Sequence, residues 1–229
     1  MIEAFVYDTI RSPRGKGRSD GSLHEVSSVK LSATLLKALK HRNELDTSLI
    51  EDVIWGNVTQ IGEQGGCLAR SAVLLSDYDQ SVPGLSINRF CASGLEAINL
   101  AANQIVAGAG SAYVAGGVEM MSRVPMGSDG AAIAVDPELA MKSYFVPQGI
   151  AADIIATEYS FSRKDVDTYA IESQKRAAMA WSKNYFQKSI IPIVDPSGLS
   201  ILDKDEHMRP NTTIADLAAL NASFQEMGE

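Results

Sequence analysis

The chain has 229 residues, of which 45% are hydrophobic and 21% charged, a composition that suits a globular protein of one or two domains. Its net charge of −8, with no block of like charges, excludes a nucleic-acid binder, which needs a basic face. The start MIEAFVYDTIRSPRGKG has no basic-then-apolar leader pattern and no apolar run nears the ~18 residues of a membrane span, so a cytoplasmic location without a membrane span is expected.

Residues 2–8 predict a short buried strand, followed by the breaker-rich RSPRGKGRSDGS. The spacing over residues 26–42 predicts a helix with Val29, Leu35, Leu36 and Leu39 on its core face. EDVIWGNV (51–58) reads as a second strand, GCLARSAVLLSD (66–77) as a helix, VPGLSIN (82–88) as a third strand, residues 92–107 as a helix and SAYVAGG (111–117) as a fourth strand. In the helix over 92–107, Leu95, Ile98, Ala102 and Ile105 step by three and four, which predicts the buried stripe, and Gly108 suits a C-terminal cap. Alternating strands and helices predict a layered α/β fold.

After Val118 the rhythm breaks into MMSRVPMGSDGAAIAVDPELAMKSYFVPQG, rich in Gly, Pro, Met and Ser, which sets a boundary between residues 1–118 and 119–229. Two helices are expected over 149–159 and 164–185, the second capped by Ser162 with Asp165 as the partner acid of a capping box. A strand-like IIPIV (190–194), the charged loop LDKDEHMRPNTT, a short helix and a polar tail complete the chain.

Cys67 and Cys91 are the only cysteines, which is no disulfide framework, and no Cys/His spacing predicts a metal site. Cys91 is placed at or just before the first turn of the helix over 92–107, where helix amides lack partners and the macrodipole adds positive potential. Such a position generally favours a nucleophilic thiolate. Ala92, Ser93 and Gly94 leave room for an approaching carbonyl, and their amides are candidates for an oxyanion hole. A free cysteine is equally at home as a small buried hydrophobe. Cys67, after GEQGG, also precedes a helix, so position alone does not separate the two sulfurs.

The surrounding residues do. Asn88, Cys91, Ser93, Gly94 and Leu95, followed by Ala115, Gly116, Gly117, Glu119, Met121 and Ser122, resemble the nucleophile segment and the AGG.E.MS segment of the thiolases. DTIRSPRGKGRSDGSL, WGNVTQIGEQGGCLARSAVL, SRKDVDTYAIESQKRAAMA and DEHMRPNTTIADLAAL resemble further thiolase segments in the same order, so the likeness covers nearly the whole chain.

The resemblance implies a thiolase-like layered α/β/α fold with a mixed sheet, an N-terminal core over 1–118, and a mostly helical loop domain over 119–229 that binds coenzyme A. It implies an acyltransferase in which Cys91 attacks a 3-ketoacyl-CoA and carries the acyl group as a thioester, or runs the reverse condensation of acetyl-CoA; Cys67 falls where the family places no catalytic group and is expected to be a structural, buried thiol. Arg209 falls where the family places an arginine near the CoA nucleotide. Where many thiolases carry His-Met-Gly beside the acyl and pantetheine site, this chain reads Pro147, Gln148 and Gly149, which puts Gln148 in that region. CoA and acyl-CoA are implied as substrates, with no permanently bound cofactor and no metal, and a homodimer or homotetramer is implied as the assembly.

His24, His41 and His207 fall on no family catalytic position and are expected to be structural. The family's activating His, second Cys and water-holding Asn lie in a C-terminal half that this chain is expected to lack, together with a strand of the first sheet, leaving the 229 residues catalytically incomplete alone. Two other readings stand beside this one: a different thiolase-fold condensing enzyme, against which CASGLEA and GGVEMMS speak, and a non-catalytic acyl-CoA-binding or assembly protein.

Overall fold

The computed structural model describes residues 2–224. Its contacts cluster into two compact units, residues 1–129 with 188–207 and residues 130–187 with 208–229. The expected boundary after residue 118 falls inside the first of them.

The first unit is built on a parallel sheet. Three strands, β1 (Asp52–Gly56), β2 (Gly84–Ile87) and β3 (Tyr113–Gly117), lie in the order β2-β1-β3, with Val53 opposite both Gly84 and Val114. Helix α2 (Leu68–Leu75) connects β1 to β2, and α3 (Ser93–Val106) connects β2 to β3. Right-handed crossovers that run in opposite directions along the sheet, from β1 out to β2 and from β2 back past β1 to β3, put the two helices on opposite faces. Alternation along β1 then buries it twice: Val53 and Trp55 pack with Leu36 of α1 (Ser28–Arg42) and with Leu68, Ala72 and Val73 of α2, while Ile54 packs with Ala97 and Ala101 of α3. The result is an α/β/α layering. Crossover helices make the pairing parallel, so the mixed pairing that the resemblance implied is not found among the three described strands; antiparallel pairing occurs in a separate ribbon, β4 (Ile193–Val194) with β5 (Ser200–Leu202).

Two sequence expectations are corrected here. Residues 2–8 form no strand: they lie outside any sheet, with Phe5, Val6 and Tyr7 66%, 73% and 95% exposed. Strand propensity needs a neighbouring edge to satisfy the backbone, and the first pairing is made by Arg11, whose amide donates to Ser189 and whose carbonyl accepts from Ile191. The second correction is the face of α3. Leu95 and Ile98, expected inside, are 63% and 46% exposed, and Ala97 and Ala101 face the sheet instead. The helix lies too close to β1 for bulky side chains: a Cβ on Gly56 would sit 2.5 Å from the Ser93 carbonyl carbon.

At the far end of α3 the expected cap is present. Gly108 has φ +74, its amide donates to Ile105, and the Ala109 amide reaches back to Gln104, the paired bonds of a Schellman motif.

The N-terminal loop is clasped to the segment before residue 207. Asp205 takes a two-pronged contact from Arg11 at 2.8 and 2.9 Å and the Arg14 amide at 2.8 Å, while Glu206 accepts from the Lys16 amide and the Ser22 hydroxyl.

The second unit is helical: α4 (Ala132–Val135), α5 (Pro137–Ser143), α6 (Gln148–Glu158), α7 (Arg163–Ser182) and α8 (Ile214–Ala218). The capping box of Ser162 and Asp165 opens α7 as expected, and Thr213 with Asp216 opens α8 in the same way. Within the irregular stretch, Asp136 caps α5 with Pro137 in its first turn, the pairing favoured at a helix start. Arg163 ties α7 to α8, its guanidinium holding Asp167 at 3.0 Å and donating to the carbonyls of Leu217 and Leu220. No described helix is long and apolar enough to cross a membrane. Residues 225–229 of the expected polar tail lie outside the described residues.

Candidate active site

The loops at the carboxyl ends of β1, β2 and β3 converge, and the β2 loop carries Cys91. Ligand sites of parallel sheets form at this end. Strand β2 stops at Ile87, and Asn88 turns the chain: its Oδ1 accepts from the Phe90 amide at 2.8 Å and its Nδ2 donates to the Val58 carbonyl at 3.1 Å. An Asx turn of this kind supplies the local hydrogen bond that lets the next residues leave extended conformation. Phe90 takes a left-handed φ of +47, an uncommon state for a bulky residue. Ser93 closes the turn from the helix side, its hydroxyl donating to the Phe90 carbonyl at 2.6 Å and accepting from the Arg89 amide at 2.9 Å. Cys91 therefore sits on a tight strand-to-helix turn, one residue before the Ala92 N-cap of α3, and it is exposed. Gly56 permits this placement by letting the end of β1 touch the start of α3. Arg89 and Glu96 form an ion pair at 3.1 Å on the outer side of the turn.

The same turn alters one expectation. The Ala92 amide donates to Arg89 at 3.1 Å and the Ser93 amide to Phe90 at 2.9 Å, so both are engaged by the turn itself rather than free to face an oxyanion.

Glu119, just beyond β3, is the anchor that sequence reasoning did not assign. Its carboxylate accepts from the amides of Val58 and Thr59 at 2.8 and 3.3 Å, from Gln64 Nε2 at 2.8 Å and from Asn57 Nδ2 at 3.4 Å. Gln64, fully buried, also accepts from the Met120 amide at 2.6 Å. The one sequence signal at Glu119 was its place in the AGG.E.MS segment, to which no role was attached; the burial of Gln64, which must find polar partners, shows what the carboxylate does.

Cys67 does not match the expectation of a buried thiol: it is exposed, has φ +61, and its Sγ lies 3.2 Å from the Gly84 carbonyl and 3.9 Å from the Ser86 hydroxyl. The left-handed backbone at the N-cap of α2 turns it outward. Exposure thus leaves the two sulfurs alike; the turn geometry and the Asn88–Ser93 bracket distinguish Cys91.

The other candidates lie in the second unit. Arg209 is exposed; its amide donates to Gln174 on α7 at 2.7 Å, its carbonyl accepts from Thr212, and its guanidinium makes no ion pair among the described residues. Asp205 and Glu206, its acidic neighbours in sequence, are engaged by the N-terminal loop. Gln148 is exposed in the first turn of α6 after Pro147, and no hydrogen bond joins it to Arg209 among the described residues. Beside it, a Cβ on Gly149 would collide with the Phe224 ring. His41 and His207 are exposed, and the His24 amide donates to Gly21.

A family model described as the thiolase N-terminal domain matches residues 4–229. The chain belongs to the thiolase family. It is 38% identical to the 3-oxoadipyl-CoA/3-oxo-5,6-dehydrosuberyl-CoA thiolase of Escherichia coli strain K12, over all of this chain and 61% of that protein. The beta-ketoadipyl-CoA thiolase of Pseudomonas aeruginosa is 38% identical over 95% of this chain and 59% of its own length. The 3-ketoacyl-CoA thiolase of Shewanella baltica is 39% identical over 98% of this chain and 58% of its own length. The chain thus spans about three fifths of the length of the curated relatives it matches. The thiolase turn and the AGG.E.MS segment are the loops that meet at the carboxyl edge of the sheet.

Proposed function

We propose that this chain serves acyl transfer between CoA thioesters, with Cys91 as the nucleophile. In this reading the Cys91 thiolate attacks the 3-keto carbonyl of a 3-ketoacyl-CoA. The C2–C3 bond breaks, its electron pair passing to C2, which takes a proton and leaves as acetyl-CoA. The acyl thioester on sulfur is then taken by the thiol of a second CoA, which returns Cys91 to its starting state; a thioester divides one difficult step into two easier ones. CoA and acyl-CoA enter as substrates, and no resident cofactor or metal is invoked.

The observation that carries the reading is the bracketed, exposed turn that presents Cys91 at the start of α3. The second unit takes the part of the CoA-binding loop domain, in which Arg209 meets the nucleotide phosphates and Gln148 borders the pantetheine and acyl region. A guanidinium that makes no ion pair among the described residues suits phosphate, to which it donates in two parallel bonds. Strand β2, an outer strand of the three-stranded sheet, is the edge through which two copies associate, since an open edge pairs readily. The assembly is a homodimer or homotetramer in the cytoplasm.

Incubation with acetyl-CoA followed by peptide mapping tests the assignment. One acetyl group is expected on the Cys91 peptide and none in Cys91→Ala. An adduct on Cys67, or none at all, would overturn it. Light scattering that finds a stable monomer at high concentration would remove the self-association.

A further inference from the structure

We infer that Glu119 is a positioning residue for Cys91, acting through the backbone of Val58 and Thr59 and through Asn88; this rests on Cys91 being the nucleophile. The path is continuous. Glu119 Oε2 accepts from the Val58 amide at 2.8 Å, the Val58 carbonyl accepts from Asn88 Nδ2 at 3.1 Å, and Asn88 Oδ1 accepts from the Phe90 amide at 2.8 Å. Phe90, at φ +47, is bonded directly to Cys91.

The chemistry of each link explains why these residue types are used. A non-glycine residue in the left-handed region persists only where its surroundings hold it there, and the Asn88 acceptor, with Ser93 on the other side, does so here. Asn88 can accept from Phe90 only if its amide plane is fixed, which its donor achieves by binding Val58. The Val58 backbone is held at both its N–H and its C=O, and the amide conjugated with that carbonyl, the Thr59 N–H, also meets the Glu119 carboxylate at 3.3 Å, which makes the carbonyl a stronger acceptor because hydrogen bonds in series polarise one another. Glu119 meets several donors at once, Val58 and Gln64 at 2.8 Å and Thr59 at 3.3 Å. That is the task of an ionised carboxylate, which only accepts. A general base needs a lone pair directed at its substrate, whereas these are directed into the β1 loop. The carboxylate thus locks the loops after β1 and β3 together, and Asn88 passes that rigidity to the loop after β2.

The test is a double-mutant cycle on the full 229-residue chain with Glu119→Gln, Asn88→Ala and both together. The readout is the rate of iodoacetamide alkylation, mapped separately to Cys91 and Cys67. Glutamine keeps the size of Glu119 but brings an NH2 group against the donors of Val58 or Gln64. Each single change is expected to slow Cys91 alkylation about ten-fold, the scale of one charge-assisted hydrogen bond. The double variant should be no slower than the worse single one, because residues acting in series do not add. Cys67 should react at an unchanged rate in all four proteins.

A wild-type rate at Cys91 in Glu119→Gln would overturn the inference. So would a double variant about 100-fold slower, which marks independent effects, or a parallel change at Cys67, which marks general loosening. Acetylation by acetyl-CoA, followed in the same samples, separates this from the functional reading: an unacetylated wild type with the alkylation pattern intact overturns the acyl-transfer assignment and leaves the positioning role in place.

Discussion

In the first unit β1 is covered on both faces, by Val53 and Trp55 toward α1 and α2 and by Ile54 toward α3. In the second unit Asp167 is the one buried residue among those described, and it is an acid held by Arg163. Leu139, Ile154, Ile155, Phe161, Val166 and Tyr169 of that unit are all exposed. The first unit is therefore stabilised by apolar area removed from water, an effect of about 25 cal/mol per Å². The second relies on caps and polar ties between helices, each contributing about 1 kcal/mol. Cys91, proposed as the nucleophile, stands on the first kind of scaffold, and the residues proposed to meet CoA stand on the second. In that reading, fixed geometry at the sulfur and an adaptable contact for a long substrate is the division of labour expected of such a pair.

The largest effect should come from Gly56→Ala, whose new Cβ would lie 2.5 to 2.7 Å from the backbone of Ser93 and Gly94. Backbone cannot rotate away, so a loss of about 3 kcal/mol is expected, with Cys91 alkylation altered because the turn moves. Urea unfolding read by Trp55 checks this, in a Trp181→Phe background that removes the other tryptophan. A change under about 1 kcal/mol, the size of an ordinary surface substitution, would show that β1 and α3 are less tightly joined than the contact implies.

Next in size is Arg163→Ala in the second unit. It leaves Asp167 without its partner and removes a donor from the Leu217 and Leu220 carbonyls, a loss of about 2 kcal/mol given that the arginine is itself half exposed. Limited proteolysis should then cut within residues 208–224 sooner, while the Trp55 unfolding midpoint stays put. A shifted midpoint would show that the two units unfold as one.

Tyr78→Phe is smaller. The Tyr78 hydroxyl donates to the Leu36 carbonyl at 3.1 Å in the core, and removing it should lower the Trp55-monitored stability by about 1 kcal/mol. Burial also pushes the Tyr78 phenol up to about 12 from 10.0. The neutral form is the one stabilised, so its contribution is present below about pH 10 and is lost as pH rises toward 12. Tyr78→Phe should therefore lose less stability than wild type in that window.

The smallest effect is acid lability at Glu63. Burial pushes its carboxyl up, but donation from the Ser28 amide and from Arg123 outweighs burial and leaves it below its ordinary 4.5. A lowered folded value means stability that is present above pH 4.5 and is lost as pH falls through the folded value. Thermal midpoints of Glu63→Gln should accordingly fall less steeply than wild type below that pH; parallel curves would remove Glu63 from the acid response.

Much of this was legible locally. The Ser162–Asp165 box, the Gly108 cap and the positions of the three strands follow from residue types at fixed offsets, and they stand where the pattern put them, although the parallel pairing of the strands was not among the expectations. Asp136 followed by Pro137 carried an equally good helix-start signal inside a stretch whose glycines and prolines masked it. Residues 2–8 were misread because an apolar run states a propensity, not a partner. The exposed Cys67 was misread because burial of a cysteine follows the backbone it sits on, here a left-handed one.

The sequence by itself determined the family, the alternation of helices and strands over residues 28–117, the Ser162 and Gly108 caps and the place of Cys91 between a strand and a helix, because each depends on neighbours along the chain. Tertiary structure alone decided which face of α3 is buried: Leu95 and Ile98 are as apolar as any core residue, but the approach of Gly56 to Ser93 admits only the alanines beside them. It alone also tied Glu119 to Asn88. Their link runs through the backbone of Val58, thirty residues from Asn88 and sixty-one from Glu119, and a residue's backbone N–H and C=O are the same donor and acceptor whatever its side chain, so no pattern of residue types along the chain encodes it.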